Sequence, residues 1–244
     1  MNKRKGKAGK AAGFIEDLIF PRRCVICDRP ANRPFDGMCM ECRSKILYIR
    51  APFCMKCGQK LSREETEYCD DCRRRKHFFI QGKALYDYGG MADSIFRFKY
   101  CGRQEYAAFY GKDLYERYAS WLSAIKPDAL VPVPIHPSRK RKRGYNQSEL
   151  LARELSKHSG ISVNDHLIIR IKKTVPQKEL TQGERQNNLK KAFKICKNDV
   201  KLDTIVIIDD IYTTGSTIDA MASLLLASGV QKIYFMTLAV GRGI

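Results

Sequence analysis

Residues 206–217 read VIIDDIYTTGST. The apolar residues that open this stretch are rich in β-branched side chains, which predicts a buried strand that stops at the adjacent carboxylates of Asp209 and Asp210. A helix that begins at Ser216 or Thr217 leaves its first backbone N–H groups unpaired and facing the turn. Together with the hydroxyls of the turn, these donors form a pocket for a phosphate. The acidic pair beside it suits sugar hydroxyls or a metal-bound diphosphate, so the stretch indicates a site for a phosphorylated sugar.

Two other phosphate-binding motifs are excluded. A Walker A loop needs a Lys directly before its Ser or Thr and a spaced pair of glycines, whereas this loop has Gly215 alone and no Lys. The GxGxxG fingerprint of dinucleotide-binding folds is also missing from the sequence. An ordinary capped strand–turn–helix is the remaining alternative. Because such a connection rarely combines two carboxylates with four hydroxyls around one glycine, the functional interpretation is favoured.

The segments around this stretch alternate between strand and helix patterns. Strands are predicted at 81–88, 129–133, 166–171, 204–208 and 232–240, and helices at 91–100, 104–125, 146–158, 183–192 and 217–228. This alternation predicts an α/β domain with a mostly parallel sheet flanked by helices. Ligands gather at the carboxyl ends of the strands in such a sheet. We therefore expect Val133 and Pro134 at the same edge as the acidic pair.

A run of five bases follows this edge in the sequence. Residues 139–143 read RKRKR and precede Gly144, which predicts a mobile loop that folds over a diphosphate. A nucleic-acid patch and a solvated run are alternatives, and they are compatible with the first interpretation. His136 lies nearby, but a lone histidine at such a place is more often structural, so it is left out of the site.

Eight of the ten cysteines form four CxxC pairs whose starts lie 15 residues apart. Two CxxC turns supply four thiolates for one tetrahedral ion, whereas disulfides are rare in the cytosol and thioredoxin-like chemistry uses a single pair. We predict two structural zinc ions. Tandem pairing is preferred because each loop is short to close, and cross-bracing of the first and third pairs is the alternative. The tandem ligand sets are Cys24, Cys27, Cys39 and Cys42, and Cys54, Cys57, Cys69 and Cys72.

The chain has 244 residues and a net charge of +19, which points to a polyanionic partner. The expected organisation is a disordered basic tail over 1–13, a double zinc ribbon over 14–76, and the α/β domain over 77–244. Bases also lie among the cysteines and directly after the last pair. Whether this ribbon surface contacts nucleic acid or is only solvated stays open.

No segment of the sequence has the pattern of a secretory or membrane segment. Phe14 and Ile15 are followed by Glu16 and Asp17, so the apolar stretch is too short for a signal peptide. Nothing approaches the length of a membrane span. We therefore expect a cytoplasmic protein without membrane insertion.

An ordered set of motifs extends along the chain. It comprises the CxxC-rich start, Phe98-Lys99-Tyr100-x-Gly102, Val131-Pro132-Val133-Pro134, Arg143-Gly144-Tyr145-Asn146-Gln147, Gln177-x-x-Leu180 with Arg185-x-x-Asn188, and Asp209–Gly215. Together, from about Ile19 to Arg242, these motifs resemble the ComF family of competence-associated proteins, which includes GntX-like members. The resemblance implies a double zinc ribbon before a type I phosphoribosyltransferase-like domain.

The resemblance also implies a site for phosphoribosyl diphosphate and Mg²⁺. Asp209 and Asp210 would be the catalytic acidic pair beside the ribose hydroxyls. The diphosphate would lie near Val133 and Pro134, and Lys99 and Arg143 match basic positions that contact phosphates. The residues that would hold the 5-phosphate are Thr213, Thr214, Gly215, Ser216 and Thr217.

Family members are linked to the uptake of single-stranded DNA during natural transformation, often beside a helicase-like partner. One hypothesis is therefore a DNA-binding protein that retains a phosphoribosyl diphosphate pocket. The second is an active phosphoribosyltransferase with an unidentified acceptor, which orients the diphosphate and stabilises a cationic sugar. A third is a zinc-ribbon adaptor for the helicase-like partner. The candidate DNA-binding residues are Arg139, Lys140, Arg141, Lys142, Arg143, Arg73, Arg74 and Arg75.

Overall fold

The computed structural model describes residues 21–30, 36–172, 191–196 and 201–241. The chain divides into two compact units, Met1–Ile46 (the first unit) and Leu47–Ile244 (the second unit). The first two CxxC pairs lie in the first unit, and the other two lie in the second unit together with the sheet. The expected basic tail falls outside the described residues, as does most of the helix predicted at 183–192.

Four parallel strands form the main sheet of the second unit. In spatial order they are β1 (Gln81–Asp87), β6 (Lys232–Val240), β5 (Thr204–Tyr212) and β2 (Ala129–Pro132). The two central strands are nearly continuous runs of buried side chains, as expected for a sheet covered on both faces. The predicted parallel α/β fold is confirmed.

Helices connect these strands. Between β1 and β2 lie α3 (Tyr88–Tyr100) and α4 (Tyr106–Ile125), and β2 is followed by α5 (Pro137–Arg143) and α6 (Gln147–Ser159). Helix α7 (Ser216–Ala227) connects β5 to β6. Two further short helices, α1 (Met40–Arg43) and α2 (Asp70–Arg74), each begin directly after the first cysteine of a CxxC pair. Among the described helices, none combines the length and the apolar character that a membrane crossing requires.

A small antiparallel pair accompanies the main sheet. β3 (Ile168–Arg170) pairs with β4 (Phe193–Ile195), with Ile168 opposite Ile195. The strand predicted at 166–171 is therefore confirmed in part, but its partner was missed. Three residues contain too little alternation for a strand to be predicted from their pattern.

The core of the second unit joins the sheet to the third and fourth CxxC pairs. Cys54 and Cys57 belong to the same buried cluster as Ile205, Ile207 and Phe235. Burial of a large apolar side chain contributes roughly 1.5–3 kcal/mol. The Cys-rich segment of this unit is thus a structural layer of the sheet domain.

Two predictions about local structure were wrong. β5 does not stop at the acidic pair, because Asp209 and Tyr212 continue the pairing with β6, while β2 ends opposite Ile208. The run at 139–143 is not a mobile loop but the end of α5. This helix starts with Pro137, is capped by the His136 side chain, and ends at Arg143, directly before Gly144, whose φ is 83°.

Candidate functional site

The acidic pair lies where β5 extends beyond β2. Asp209 Oδ1 accepts hydrogen bonds from Ser148 Oγ at 2.9 Å and from the Asp210 backbone N–H at 2.9 Å. Asp210 Oδ2 lies 3.0 Å from Lys99 Nζ, and the exposed fractions of these side chains are only 12% and 17%. The structure therefore brings three predicted site residues, Lys99, Asp209 and Asp210, to one place.

The environment of Asp209 disfavours its negative charge. Burial raises the pKa of Asp209 to about 7, and the neighbouring charge of Asp210 acts in the same direction, while Lys99 opposes both effects. Burial and the charge of Asp210 thus both disfavour a second ionised carboxylate at this edge. A cation at this edge would favour the ionised form of Asp209.

The predicted phosphate loop, residues 213–217, follows directly. Gly215 has a φ of 73°, and a Cβ at this position would lie 2.6 Å from the Tyr212 hydroxyl, so only glycine fits. Thr214 Oγ1 and Ser216 Oγ lie 2.9 Å apart in a hydrogen bond. α7 begins at Ser216 and directs its first N–H groups at the loop. Together with Asp209, residues 211–218 enclose a small cavity of about 40 Å³, which suits a compact anion.

Residues 145–147 hold the two sides of the site together. The Asn146 side chain donates to the Val133 carbonyl at 3.0 Å and caps α6 by accepting from the Ser148 N–H at 3.2 Å. The Gln147 side chain donates to the Lys99 carbonyl at 3.3 Å, and the Tyr145 hydroxyl donates to the carbonyl of Phe98. These buried side chains position Lys99 and Val133.

Val133 extends the pairing between β2 and β5 by one hydrogen bond, from its N–H to the Ile208 carbonyl at 2.9 Å. Pro134 is the next residue of the chain after this bond. Both predicted residues therefore come at the edge of the sheet where the acidic pair lies.

Basic side chains of α3 and α5 enclose a second cavity of about 340 Å³. Its lining is Lys99, Tyr100, Arg139, Lys142 and Arg143. The Arg143 guanidinium donates to Gln147 Oε1 at 2.9 Å and lies over the Tyr100 ring, 4.5 Å from its centroid. Lys140 instead pairs with Glu149 at 3.1 Å. Three of the predicted phosphate or DNA contacts of α5 thus line one cavity.

Sequence reasoning missed one residue of the site, Ser148, and one charged residue whose field reaches it, Arg170. Arg170 lies on β3, with its guanidinium 5.3 Å from the centroid of the Phe193 ring. Burial lowers the pKa of Arg170, the charge of Arg139 adds to this effect, and Asp209 opposes it. Arg170 therefore lies in the field of both the acidic pair and α5. A single Arg on a short strand has no sequence signal, because only the pairing of β3 with β4 places it.

The cysteines form two clusters with the geometry of zinc sites. The first cluster is Cys24, Cys27, Cys39 and Cys42, and the second cluster is Cys54, Cys57, Cys69 and Cys72. Within each cluster all four Sγ atoms lie within 4.8 Å of one another. Zn–S bonds of about 2.3 Å in a tetrahedron place the sulfurs about 3.8 Å apart.

The individual Sγ–Sγ separations match this geometry. The Sγ atoms of Cys27 and Cys39 are 3.9 Å apart, and those of Cys57 and Cys69 are 3.7 Å apart. The Cys39 N–H lies 3.4 Å from Cys24 Sγ, as expected for a donor to a thiolate. The tandem pairing is confirmed, and four sulfurs per ion indicate structural sites.

The bases after the last CxxC pair are partly neutralised. Arg73 pairs with Asp70, and Arg75 Nε lies 2.8 Å from Asp71 Oδ1, while Arg74 is exposed. A cavity of about 720 Å³ is lined by residues of this segment and of the phosphate loop, including Arg73, Arg75, Thr213 and Thr214. These two predicted regions therefore adjoin.

Comparisons with known proteins agree with this architecture. Residues 15–73 match the family model of the double zinc ribbon domain, and residues 114–243 match that of the phosphoribosyl transferase domain. The chain is 30% identical to Competence protein F of Haemophilus influenzae, over 91% of this chain and 98% of that protein. It is 30% identical to Competence protein ComFC of Bacillus subtilis, over 91% and 94%. It is also 29% identical to DNA utilization protein YhgH of Salmonella typhimurium, over 88% and 96%. With both domains matched and relatives that align over nearly their whole length, the chain belongs to the ComF family.

Proposed function

We propose that the protein is a cytoplasmic DNA-handling protein of natural competence that binds phosphoribosyl diphosphate with Mg²⁺ and binds single-stranded DNA through its basic surface. The competence and DNA-utilization relatives support the DNA role. The ion pair between Lys99 and Asp210, at 3.0 Å, carries the ligand assignment, because it joins the basic cavity of α5 to the acidic pair. A helicase-like competence protein is the partner that family resemblance suggests.

Different residues of the site would bind different parts of the ligand. Residues 213–217 would hold the 5-phosphate through hydroxyls and N–H groups. Asp209 and Asp210 would accept hydrogen bonds from the ribose hydroxyls and offer the oxygen ligands that Mg²⁺ prefers. When bound, Mg²⁺ neutralises and orients the diphosphate. Lys99, which compensates Asp210, would contact the diphosphate together with Arg143.

Calorimetric titration with phosphoribosyl diphosphate and Mg²⁺ tests the ligand assignment. The double variant Asp209→Asn/Asp210→Asn is expected to lose the binding heat, because it removes the carboxylates that receive the ribose and the metal. Asp203→Asn, an exposed residue directly before β5, is the matched control and should bind as the wild type does. Absence of heat and of thermal stabilisation in the wild type would refute the assignment.

The DNA role is supported by the distribution of charge on α5. The sequence of this helix, PSRKRKR, has five bases and no acid. Within the part of the chain that the structure describes, Arg139, Arg141 and Lys142 make no ion pair, whereas Arg73 and Arg75 do. We therefore expect α5 to contribute more to the binding of phosphates than residues 73–75.

Salt titration of oligonucleotide binding tests this ranking. Each neutralised phosphate contact on single strands contributes about 0.7 to the slope of log K against log salt. Arg141→Ala should therefore lower the slope by nearly one such contact, and Arg73→Ala should change it less. A slope near zero for the wild type would refute the DNA role.

An active phosphoribosyltransferase is the second candidate. Ser148 donates a hydrogen bond of 2.9 Å to Asp209 and so orients the acidic pair. DNA binding alone does not require an oriented acidic pair, so this arrangement supports catalysis. The test is diphosphate release with a panel of nucleophiles. Turnover that disappears in Asp209→Asn/Asp210→Asn would support the activity, and no turnover across a broad panel would contradict it.

A further inference from the structure

The last turns of α3 expose two aromatic rings, Phe96 and Tyr100. Their exposed fractions are 55% and 59%, although Ile95 and Phe98 of the same helix are buried. The two residues are four positions apart, so they share one side of the helix. Their ring centroids are 5.1 Å apart at an interplanar angle of 44°. Large exposed aromatic side chains that adjoin one another indicate a binding surface.

Positive charge adjoins this pair of rings. The Arg143 guanidinium lies 4.5 Å from the Tyr100 centroid, so that Tyr100 has both the Phe96 ring and a guanidinium as neighbours. Tyr100 also lines the cavity of α3 and α5, whose other lining residues are Lys99, Arg139, Lys142 and Arg143. An apolar, flat surface thus continues into a strongly basic one.

The combination of exposed aromatic rings and positive charge indicates which class of ligand binds to this surface. The core of a protein–protein interface is enriched in aromatic residues and Arg but depleted in Lys, so the rings alone would also suit a protein, whereas Lys99, Lys142 and the five bases of α5 favour a polyanion. Single-stranded nucleic acid offers both an anionic backbone and unpaired bases that stack on aromatic rings and on guanidinium groups. In a duplex the bases are already stacked on each other. The five bases of α5 extend over roughly 7 Å of helix, which exceeds the size of one phosphate.

We propose that Phe96 and Tyr100 are the base-stacking residues of a site for single-stranded polynucleotide, and that α5 binds the backbone of the same strand. This proposal rests on the DNA-handling function proposed above and adds the location and chemistry of the contact. Arg143 serves both parts, since its guanidinium contacts the Tyr100 ring and its charge lies in the basic cavity.

Fluorescence anisotropy with a labelled single strand of about 16 nucleotides tests the stacking. Phe96→Ala and Tyr100→Ala should each weaken binding by the full chain roughly 5- to 100-fold. Tyr100→Phe retains the ring and should bind nearly as the wild type does. Phe78→Ala removes another exposed aromatic, 43% exposed and outside α3 and α5, and should leave the affinity unchanged.

An abasic strand of the same length separates stacking from charge. The wild type should bind it more weakly than the native strand, and this difference in affinity should be smaller for Phe96→Ala and for Tyr100→Ala, and smallest when both rings are removed. Their salt dependence should equal that of the wild type, because neither variant removes a phosphate contact. Unchanged affinity of both variants for the native strand would overturn the stacking assignment.

The remaining outcomes are distinct from one another. If the wild type binds no single strand at all, the proposed DNA function fails and this site fails with it. If it binds but the aromatic variants behave as the wild type, only the stacking site fails. Equal competition by a nucleoside monophosphate would assign the rings to a mononucleotide. A change in self-association of Phe96→Ala without loss of DNA affinity would assign them to a protein contact. Both of these results overturn the proposal.

Discussion

The two cysteine clusters share one sequence pattern but have different surroundings. Both consist of two CxxC turns separated by eleven residues, and both bring four sulfurs within 4.8 Å of one another. The first cluster belongs to the first unit. The second cluster lies in the core of the sheet domain, where the Lys56 carbonyl accepts from the Gly82 N–H of β1 at 2.7 Å. The spacing of the cysteines therefore determines which residues bind the metal, whereas the residues that surround each cluster determine which part of the protein the metal stabilises.

This difference predicts how each unit responds to loss of its zinc. Metal binding to a structural site contributes directly to folding free energy. Because the second cluster packs in the same core as the sheet, zinc bound there should also stabilise the sheet and the ligand site that it carries. The single tryptophan, Trp121, lies on α4 and donates to Gln81 Oε1 at 2.8 Å. Its fluorescence reports unfolding of the second unit alone.

The largest effect is expected from Cys57→Ser compared with Cys24→Ser. Cys57 is a ligand in the core of the second unit, so its loss should unfold the sheet domain. Cys24→Ser should remove one zinc ion but leave the Trp121 transition in place. Zinc content and Trp121 fluorescence in urea measure both results. An equal loss of the Trp121 transition in the two variants would contradict the distinction between the clusters.

Gly58→Ala tests the contact between the second cluster and β1. Gly58 has a φ of 78°, and a Cβ there would lie 3.0 Å from the Gly82 carbonyl oxygen and 3.1 Å from the Ala84 nitrogen. Backbone strain of about 1–2 kcal/mol and the steric clash should together cost roughly 2–4 kcal/mol.

The control is Gly37→Ala in the first unit, where φ is 106°. It should leave the Trp121 transition unchanged. A Gly58→Ala loss below about 1 kcal/mol would mean that the segment moves away from β1 without cost.

Asp209→Asn tests whether Asp209 causes a pH dependence in the stability of the second unit. The pKa of Asp209 is about 7 in the folded protein and near its ordinary value of 3.8 when unfolded. Because the folded state holds the proton more tightly, stability falls as pH rises through this window. Between pH 6 and pH 8 the loss should be about 1 kcal/mol.

Asp209→Asn should abolish this loss in urea titrations followed by Trp121 without added Mg²⁺. Asp203→Asn should retain the wild-type dependence. A wild-type dependence in Asp209→Asn would show that another group is responsible.

The smallest effect is expected at Tyr212, which lies between the second cluster and the phosphate loop. Its ring stacks on Phe235 at 4.8 Å, and its buried hydroxyl has no hydrogen-bond partner among the described residues. Burial raises the pKa of Tyr212, and the charges of Cys57 and Cys72 add to this effect.

Tyr212→Phe should therefore be neutral or stabilising by up to about 1 kcal/mol. Tyr110→Phe, which breaks the buried hydrogen bond with Ser94, should destabilise by about 1–2 kcal/mol. Thermal unfolding measures both. A destabilised Tyr212→Phe would indicate that the hydroxyl donates to a thiolate of the second cluster.

Local patterns predicted the parts of this protein that local chemistry decides. The zinc ligands follow from CxxC spacing, and the phosphate loop follows from a strand, a glycine turn and a helix start. The helix α5 was missed because repulsion among five consecutive bases favours a loop, although Pro137 and Gly144 are signals for the start and the end of a helix.

Contacts between distant segments decide the rest. β5 continues through Asp209 because residues 237–240 pair with it. Arg170 reaches the field of Asp209 only through the hairpin of β3 and β4. The role of the second cluster in the core depends on Ile205 and Phe235, which lie more than a hundred residues away in the sequence.

The shared core has a consequence for modularity. A fragment cut where the composition changes, near residue 77, would expose Phe79 and Phe235 by discarding Cys54, Cys57 and Leu61, which belong to the same buried cluster. A fragment that begins at Leu47 retains this packing. The second cluster and the sheet therefore form one structural element, and any fragment meant to keep the ligand pocket must include both.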